Sequence, residues 1–321
     1  MIIAESYELL ESAIRTLYES GEYEKIIELV DLQKEHFPDQ RLPLAYWQIS
    51  MAARIADPSL CYHFMDHLLV DGLWLSQRLL RESPFFELLQ GQLDFEQRVE
   101  KFLLNQTREQ SQLLPLLTLH TENGCLSPES PCPLLIGLHD VNYTSLRSIK
   151  FWQPIAKRGW LVGVPQSTQA VWSGAYTWDN LEITQTEIAT HVHALTEKYA
   201  VDARRTVLAG HGRGGEMAAF LTVSGGVDVR GFVAVFPYGK LMGDLESWMR
   251  TLQGLDFPNL RGAFIFSSTH ADMPKEEIEK LVEIFNLFDV ACHLEWVEGD
   301  GQIYTPAIDQ AIINSIDFVL S

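Results

Sequence analysis

The sequence predicts two domains: an all-helical domain over residues 1–112 and an α/β domain with a mostly parallel sheet over residues 113–321. Apolar residues recur at helical spacing in the first part, whereas short apolar runs alternate with helix-like segments in the second. Such alternation is typical of a parallel sheet whose strands are connected by helices. The chain has 321 residues, 46% of them hydrophobic, which is enough for a core in each domain.

The helical domain starts with a predicted pair of helices that are separated at Ser20–Glu22 and end at Pro38. A second pair is expected over residues 42–72, with its break near Asp57 and Pro58, because proline disrupts a helix interior. Large aromatic side chains follow, and we expect them to pack in the core rather than to form a ligand cage. They are Trp74, Phe85, Phe86 and Phe95.

The spacing of Gly21, Tyr23 and Pro38 resembles one tetratricopeptide unit. The resemblance implies that residues 1–112 form a tetratricopeptide-like domain. Ile26 and Gln33 stand where that repeat usually has alanine. A degenerate helical-hairpin domain is therefore the alternative.

The α/β domain is predicted from alternating strands and helices that begin after a loop over residues 124–133. Asn180 is a good N-cap for a long helix, and Pro154 is expected to kink another. The predicted strands are Pro133–Leu138, Trp160–Val164, Thr206–Ala209, Phe232–Phe236, Gly262–Phe266 and Cys292–Val297. The predicted helices are Leu146–Lys157, Leu181–Tyr199, one from about Arg213, Leu241–Leu252, Pro274–Leu287 and Ala307–Leu320.

The composition argues against several kinds of partner. A net charge of −19 repels phosphate backbones and anionic membrane surfaces, so neither nucleic acid nor a membrane is expected. The first ten residues include Glu5 and Glu8 and no basic segment, so a secretory signal is not expected. No apolar run approaches the roughly 20 residues of a membrane-spanning helix. A cytoplasmic protein is therefore expected.

The four cysteines show no C-x-x-C spacing, which favours a reduced chain. Cys125 and Cys132 could pair across a short loop, but we expect buried or idle thiols at Cys61, Cys125, Cys132 and Cys292.

Polar residues follow the predicted strands at their carboxyl ends, where sites form in open parallel sheets. His139 and Asp140 follow the first strand, and His211, Gly212 and Arg213 follow the third. We expect these ends to meet at one edge of the sheet. Two later segments that end there are Ser268–Asp272 and Asp300–Gln302.

From about residue 114 onward the chain resembles the α/β-hydrolase superfamily, especially its phospholipase/carboxylesterase and dienelactone-hydrolase-like branches. The resemblance is carried by Leu135–Asp140, Val201–Gly215 and Gly299–Pro306. In this family a strained strand-to-helix turn, G-x-S-x-G, presents a nucleophilic serine. The resemblance implies an α/β-hydrolase-like sheet and a site at this turn.

The three catalytic positions of that family carry other residues here. The serine position is Gly212, which has no side chain, the acid position is His270, and the histidine position is Gln302. An amide cannot take a proton near neutral pH, so the base is lost with the nucleophile. Asp272 could supply the acid if its loop shifts, or it could cap the helix that starts at Pro274.

The oxyanion hole implied by the resemblance would use the backbone N–H of Arg213 and a second N–H from the loop after His139. Asp140 stands where the family has glycine. If its carboxylate points inward, it would repel a developing oxyanion.

Nucleotide and metal chemistry are less well supported by the sequence. Gly210, Gly212 and Gly215 spell G-x-G-x-x-G, but the next predicted strand does not end in the acidic residue that holds a ribose. A metal could be held by histidine and aspartate side chains at the same sheet edge, but no HxH or HExxH spacing supports it. Neither a metal nor another cofactor is expected. The side chains at this edge that could ligate a metal are His139, Asp140, His211, His270 and Asp272.

The favoured hypothesis is a non-catalytic protein of this fold that binds an unknown small molecule or protein, with a pocket that includes His139, Asp140, His211 and Arg213. The alternative is an esterase- or peptidase-like hydrolase with a rearranged or metal-assisted site. The helical domain offers a surface for a homo-oligomer. Four aromatic residues are expected either to line the pocket mouth or to pack a loop: Trp172, Tyr176, Trp178 and Tyr238.

Overall fold

The computed structural model describes residues 4–120, 124–253, 259–269, 273–298 and 305–321. The chain divides into two compact units. The first, here the helical unit, consists of Met1–Leu113 and Ala170–Ser173. The second, the α/β unit, consists of Leu114–Gln169 and Gly174–Ser321.

The helical unit contains the two expected helix pairs. Between the helices Arg41–Arg54 and Pro58–Val70 the chain turns at Asp57, whose side chain accepts the Leu60 N–H at 3.0 Å. The first core packs around buried Leu10, Ile14 and Ile26. The α-helices are α1 Tyr7–Glu19, α2 Tyr23–Gln33, α3 Arg41–Arg54, α4 Pro58–Val70, α5 Gln77–Glu82 and α6 Leu93–Gln110. Short 3₁₀ helices cover Lys34–His36, Pro38–Gln40 and Pro84–Leu89.

Large aromatic side chains fill the rest of this unit. Trp74, Phe86 and Phe95 are fully buried, and the Trp74 indole donates to Glu109 at 2.9 Å. Their packing in the core agrees with the expectation from the sequence. The tetratricopeptide assignment remains a prediction.

A seven-stranded sheet forms the centre of the α/β unit. Its strands in spatial order are β1 (Leu116–Leu119), β3 (Leu161–Pro165), β2 (Cys132–Leu138), β6 (Val201–His211), β7 (Gly231–Val235), β8 (Arg261–Ser267) and β9 (Ala291–Val297). All neighbours are parallel except β1, which pairs antiparallel with β3. The prediction of a mostly parallel sheet is confirmed. The strands are β1 Leu116–Leu119, β2 Cys132–Leu138, β3 Leu161–Pro165, β4 Ala170–Trp172, β5 Ala175–Tyr176, β6 Val201–His211, β7 Gly231–Val235, β8 Arg261–Ser267 and β9 Ala291–Val297.

Helices cover both faces of this sheet, so successive residues of the central strands are buried on both faces. On β2, Leu135 packs in the same core as α7 (Ser145–Ala156) and α12 (Pro306–Leu320). Leu134 and Ile136 pack instead with α8 (Leu181–Lys198) and α9 (Arg213–Val223). Pro154 lies inside α7 without ending it. The helices are α7 Ser145–Ala156, α8 Leu181–Lys198, α9 Arg213–Val223, α10 Leu245–Leu252, α11 Lys275–Leu287 and α12 Pro306–Leu320.

The cysteine expectation was wrong for one pair. Cys125 and Cys132 form a disulfide, with their Cα atoms 5.5 Å apart, while Cys61 and Cys292 are free thiols. The Ala200 segment brings the two cysteines together, because its N–H donates to Cys125 O and its carbonyl accepts from Cys132 N–H, both at 2.8 Å. None of the helices in the described ranges is long and apolar enough to span a membrane.

Candidate functional site

The strand-to-helix turn expected at residues 210–215 is present. β6 ends at His211, α9 begins at Arg213, and Gly212 lies between them with φ 57° and ψ −123°. Glycine adopts this left-handed region without the steric penalty of a Cβ. The turn is held by the Gly212 N–H, which donates to Val235 O at 2.9 Å. The apex of the turn is thus a glycine.

Close packing of β6 against α9 explains a second glycine. A Cβ added at Gly210 would lie 2.1 Å from Gly214 O, so only hydrogen fits there. The register aligns Leu138 of β2 with Gly210 of β6 and Gly210 with Ala234 of β7. The residues that follow these three strands therefore meet at one edge of the sheet.

Asp140, which follows β2, places its carboxylate above the apex glycine. A Cβ added at Gly212 would lie 2.0 Å from Asp140 Oδ1 and 2.2 Å from its Cγ. The carboxylate thus occupies the space that a side chain at position 212 would need. Its side chain is only 13% exposed.

Three donors converge on one oxygen of this carboxylate. Asp140 Oδ1 accepts the backbone N–H of Arg213 at 2.8 Å, the backbone N–H of Val141 at 2.7 Å and the hydroxyl of Tyr238 at 2.8 Å. The first two are the N–H of Arg213 and an N–H from the loop after His139, the pair expected to form the oxyanion hole. Asp140 Oδ1 therefore lies at the point that the resemblance assigns to an oxyanion.

Burial raises the pKa of Asp140, and the facing His211 and the three donors act in the opposite direction. His211 Nδ1 lies 3.7 Å from Asp140 Oδ2. The His211 ring stacks on Phe151 with centroids 4.4 Å apart and meets the edge of Phe236. His211 is therefore a buried imidazole that faces a carboxylate.

His139 has a different environment from His211. It is fully buried, its Nε2 accepts the Ser167 N–H at 3.2 Å, and its Nδ1 lies 2.7 Å from Asp140 O. Burial lowers the pKa of His139 to about 4. These contacts fit a neutral ring with its proton on Nδ1. His139 thus holds the loop in place, and both of its nitrogens are engaged.

The Arg213 side chain forms an ion pair that the sequence reasoning missed. Its guanidinium pairs with the fully buried carboxylate of Glu216 and lies 3.4 Å from Asp179 Oδ1. Glu216 Oε1 also accepts the N–H groups of Leu241 and Met242 at 2.6 and 3.0 Å. The i,i+3 spacing of an arginine and a glutamate on a helix was the available signal. Among the contacts described, Arg213 reaches Asp140 through its backbone N–H.

The four aromatic residues that were expected either to line the pocket mouth or to pack a loop do not all have the same role. Tyr176 and Trp178 are fully buried, and the Trp178 indole donates to His139 O at 2.9 Å, so both pack the loop. The Tyr238 hydroxyl reaches the site. Trp172 belongs to the helical unit, where its ring lies 6.5 Å from that of Tyr46.

The two remaining catalytic positions of the resembled family, His270 and Gln302, lie outside the described residues, as does Asp272. Within the described part of the chain, no group of three or more His, Cys, Asp or Glu side chains is arranged to hold a metal ion.

No protein-family model and no curated protein matches this chain. Among solved structures, an uncharacterized protein from Bacillus cereus is 15% identical, covers 98% of both chains and has a TM-score of 0.53. The Bacillus cereus carboxylesterase is 14% identical over 67% of this chain and 99% of its own, with a TM-score of 0.48. A bacterial heroin esterase is 15% identical over 64% and 79%, with a TM-score of 0.49.

At these identities the likeness concerns the fold alone. The strand order, the turn at Gly212 and the helices on both faces are those of an α/β-hydrolase-like domain. The chain therefore has an α/β-hydrolase-like fold, preceded by an all-helical region.

Proposed function

We propose that this chain is a non-catalytic protein of α/β-hydrolase fold that acts by binding a small molecule or a protein partner. One observation carries the proposal: the Asp140 carboxylate fills the space above Gly212 where the family's nucleophilic side chain would stand.

Acyl transfer needs a nucleophile, a base and donors for the oxyanion. Gly212 supplies no nucleophile, and Asp140 Oδ1 takes the N–H groups of both Arg213 and Val141. A carboxylate at this point repels the negative charge that develops on a substrate oxygen. The same contacts therefore oppose ester hydrolysis in two ways.

The alternative, a metal-assisted hydrolase, would draw on the histidines at this edge. His139 has both ring nitrogens in contact with backbone groups, and His211 is stacked on Phe151 beside Asp140. A ligand set built on His139 would have to break these contacts first. The binding hypothesis requires no such rearrangement.

The proposal is tested by the turnover of p-nitrophenyl acetate by the purified chain, with and without EDTA. We expect the rate to equal the buffer blank, because Gly212 carries no side chain that could act as the nucleophile. Asp140→Asn, which preserves the shape of the side chain, is the matched variant and should behave in the same way.

Turnover by the unmodified chain would contradict the proposal. If EDTA abolished that turnover, the metal-assisted alternative would be favoured. If EDTA had no effect and Asp140→Asn abolished it, Asp140 itself would be the reacting group.

A further inference from the structure

The two edges of the seven-stranded sheet differ in length and regularity. β1 has four residues and follows Pro115, so it offers little backbone to a further strand. β9 has seven residues, contains no proline and pairs with β8 without a register shift. In the described part of the chain no strand lies beyond β9. Its outer side is therefore a long, regular edge of the kind that can pair with another strand.

Two hydrogen bonds show which residues of β9 point their backbone groups outward. Val297 O faces β8, since it accepts the N–H of Ser268 at 2.9 Å. The Cys292 N–H points the other way and donates to Asn286 Oδ1 at 2.9 Å. Because these groups alternate along a strand, Leu294 and Trp296 point outward as Cys292 does. Among the described residues, the N–H groups of Leu294 and Trp296 have no partner on that side.

One face of β9 carries a histidine and an acid two residues apart. His293 Nε2 lies 3.7 Å from Glu295 Oε2, and the two side chains are 39% and 24% exposed. Glu295 Oε1 accepts from Asn314 Nδ2 at 3.3 Å, whereas Glu295 Oε2 is shielded from water and has no hydrogen-bond partner within the described ranges. Shielded carboxylate oxygens are normally hydrogen-bonded. Glu295 Oε2 is therefore suited to a donor from outside the chain.

A second copy of β9, running antiparallel, supplies that donor in one register. When Leu294 lies opposite Leu294 of the second copy, His293 lies opposite Glu295, and the twofold axis repeats this pair. Leu294 is then in a hydrogen-bonded pair, as its outward backbone groups require, and His293 and Glu295 are in the closer, non-hydrogen-bonded pairs. Registers centred on His293 or on Glu295 would place identical side chains opposite each other, which is unfavourable for two acids.

The opposite face of β9 offers apolar side chains to the same partner. Cys292, Leu294 and Trp296 are only partly buried against their own core. In this register Trp296 lies opposite Cys292 of the second copy. Asn314, which contacts Glu295, and its neighbour Gln310 are neutral, so no like charges meet beside the edge on α12. The local charges are thus complementary, although the net charge of the chain is −19.

We propose that two copies of this chain pair through β9, antiparallel and centred on Leu294, to form a twofold-symmetric dimer with one continuous sheet. The Leu294 N–H donates to Leu294 O of the second copy, and the Trp296 N–H donates to its Cys292 O. Asn286 keeps the Cys292 N–H and ends the ladder. His293 of each copy donates to Glu295 Oε2 of the other. The interface is separate from the Asp140 site and does not depend on the proposed function.

Sedimentation equilibrium of the full chain tests for this dimer. We expect twice the mass of one chain, and a dissociation constant about tenfold larger for His293→Glu, which places two acids opposite each other at both symmetry-related positions. Combining His293→Glu with Glu295→His restores opposite partners and should restore the dimer. His193→Glu is the matched control, because His193 also lies beside a glutamate, Glu197 at 3.3 Å, but on α8. It should leave the dissociation constant unchanged.

A disulfide cross-link locates the twofold axis. In the proposed register only residue 294 lies opposite its own counterpart, at a Cα separation of about 5.5 Å, which a disulfide can span. Leu294→Cys should therefore form a covalent dimer under mild oxidation. Ala291→Cys is the control, because the two copies of residue 291 are about 20 Å apart, six residues along the strand. Both variants carry Cys292→Ser, so that no native thiol of β9 takes part.

The proposal is wrong if the unmodified chain is a monomer at every concentration, or if His293→Glu and His193→Glu have equal effects on the dissociation constant. Equal cross-linking of the two cysteine variants would also overturn it, as would a dimer that shows neither the charge effect nor the Leu294→Cys cross-link, since such a dimer uses another surface. If His293→Glu does not fold, because it places an acid beside Glu295 in its own chain, the cross-link decides the question.

Discussion

Two consecutive residues at the end of β2 show how local environment decides the role of a side chain. His139 is fully buried between Ser167 and Trp178, and its pKa is lowered because burial disfavours the imidazolium. Asp140 faces three donors, yet burial raises its pKa. Burial therefore shifts the pKa values of these two neighbours in opposite directions. Although His139 and Asp140 are adjacent in sequence, their side chains lie in separate environments and do not form a proton relay with each other.

The lowered pKa of His139 predicts a loss of stability in mild acid. In the unfolded chain His139 takes up a proton near pH 6.5, whereas in the folded chain it does so only near pH 4. Between these values the unfolded state binds more protons, so the free energy of unfolding falls as the pH falls. We expect this residue to remove about 2 kcal/mol between pH 7 and pH 5.

Urea unfolding at the two pH values measures this loss. His139→Asn should reduce the difference between them, whereas His193→Asn, on an exposed side chain, should leave it unchanged. An equal pH dependence in the chain with and without His139 would show that other groups cause the acid sensitivity.

At the scale of the element, the turn from β6 to α9 is a tight strand-to-helix turn with a glycine at its apex. Gly212 has a positive φ, and Gly210 lets the helix approach the strand. The adjoining loop after β2 supplies Asp140 to the space above the turn. The turn and that loop therefore constrain each other: a side chain at position 212 and the present position of Asp140 exclude one another.

This exclusion predicts a coupling between the two positions. We expect Gly212→Ser to cost about 3 kcal/mol in the unmodified chain, from its positive φ and the displacement of Asp140, but only about 1 kcal/mol in an Asp140→Gly background. Free energies of unfolding in urea for the two single variants and the double variant measure the difference.

Gly225→Ser is the matched control, because Gly225 also has a positive φ of 71° but a Cβ there would meet nothing within 4 Å. It measures the cost of a positive φ without a steric clash. Equal costs for Gly212→Ser in both backgrounds would mean that Asp140 does not occupy the space above the turn.

At the scale of the whole molecule, the helical unit is not a continuous segment of chain. Residues Ala170–Ser173 belong to it, although they come from within the α/β portion of the sequence. Ser76 N–H donates to Val171 O at 2.9 Å, and Trp74 exchanges hydrogen bonds with Ser173 at 2.8 and 3.1 Å. Trp74 is fully buried. If residues 170–173 were absent, the backbone groups of Trp74 and Ser76 would lose their hydrogen-bond partners, which costs free energy for groups that are shielded from water.

A fragment of residues 1–113 should therefore be less stable than the same residues in the full chain. We expect fast amide hydrogen exchange at Trp74 and Ser76 in the fragment and slow exchange in the full chain, because only the latter contains Val171 and Ser173. Amides in the first helix pair, such as Ile14, serve as the internal reference. Equal protection of Trp74 and Ser76 in both proteins would show that the segment contributes nothing to this unit.

Some features were not predicted because their sequence signals are short or shared with other structures. β1 has only four residues and pairs antiparallel at the sheet edge, so it lacks the long apolar run of a central strand. The Cys125–Cys132 disulfide depends on the backbone contacts of Ala200, which lies 68 positions beyond Cys132. Neither feature could be inferred from local periodicity.

The sequence by itself determined the class of fold and the absence of a side chain at position 212, the apex of the turn. Periodicity and caps are local properties, so they indicated the strands and helices of the sheet, and a glycine at position 212 excludes a side chain whatever surrounds it. Only the tertiary structure decided what replaces that side chain. The Asp140 contacts with Arg213 and Tyr238 join residues 73 and 98 positions apart. Such contacts depend on how strand ends meet across the sheet, which no local pattern of residues encodes.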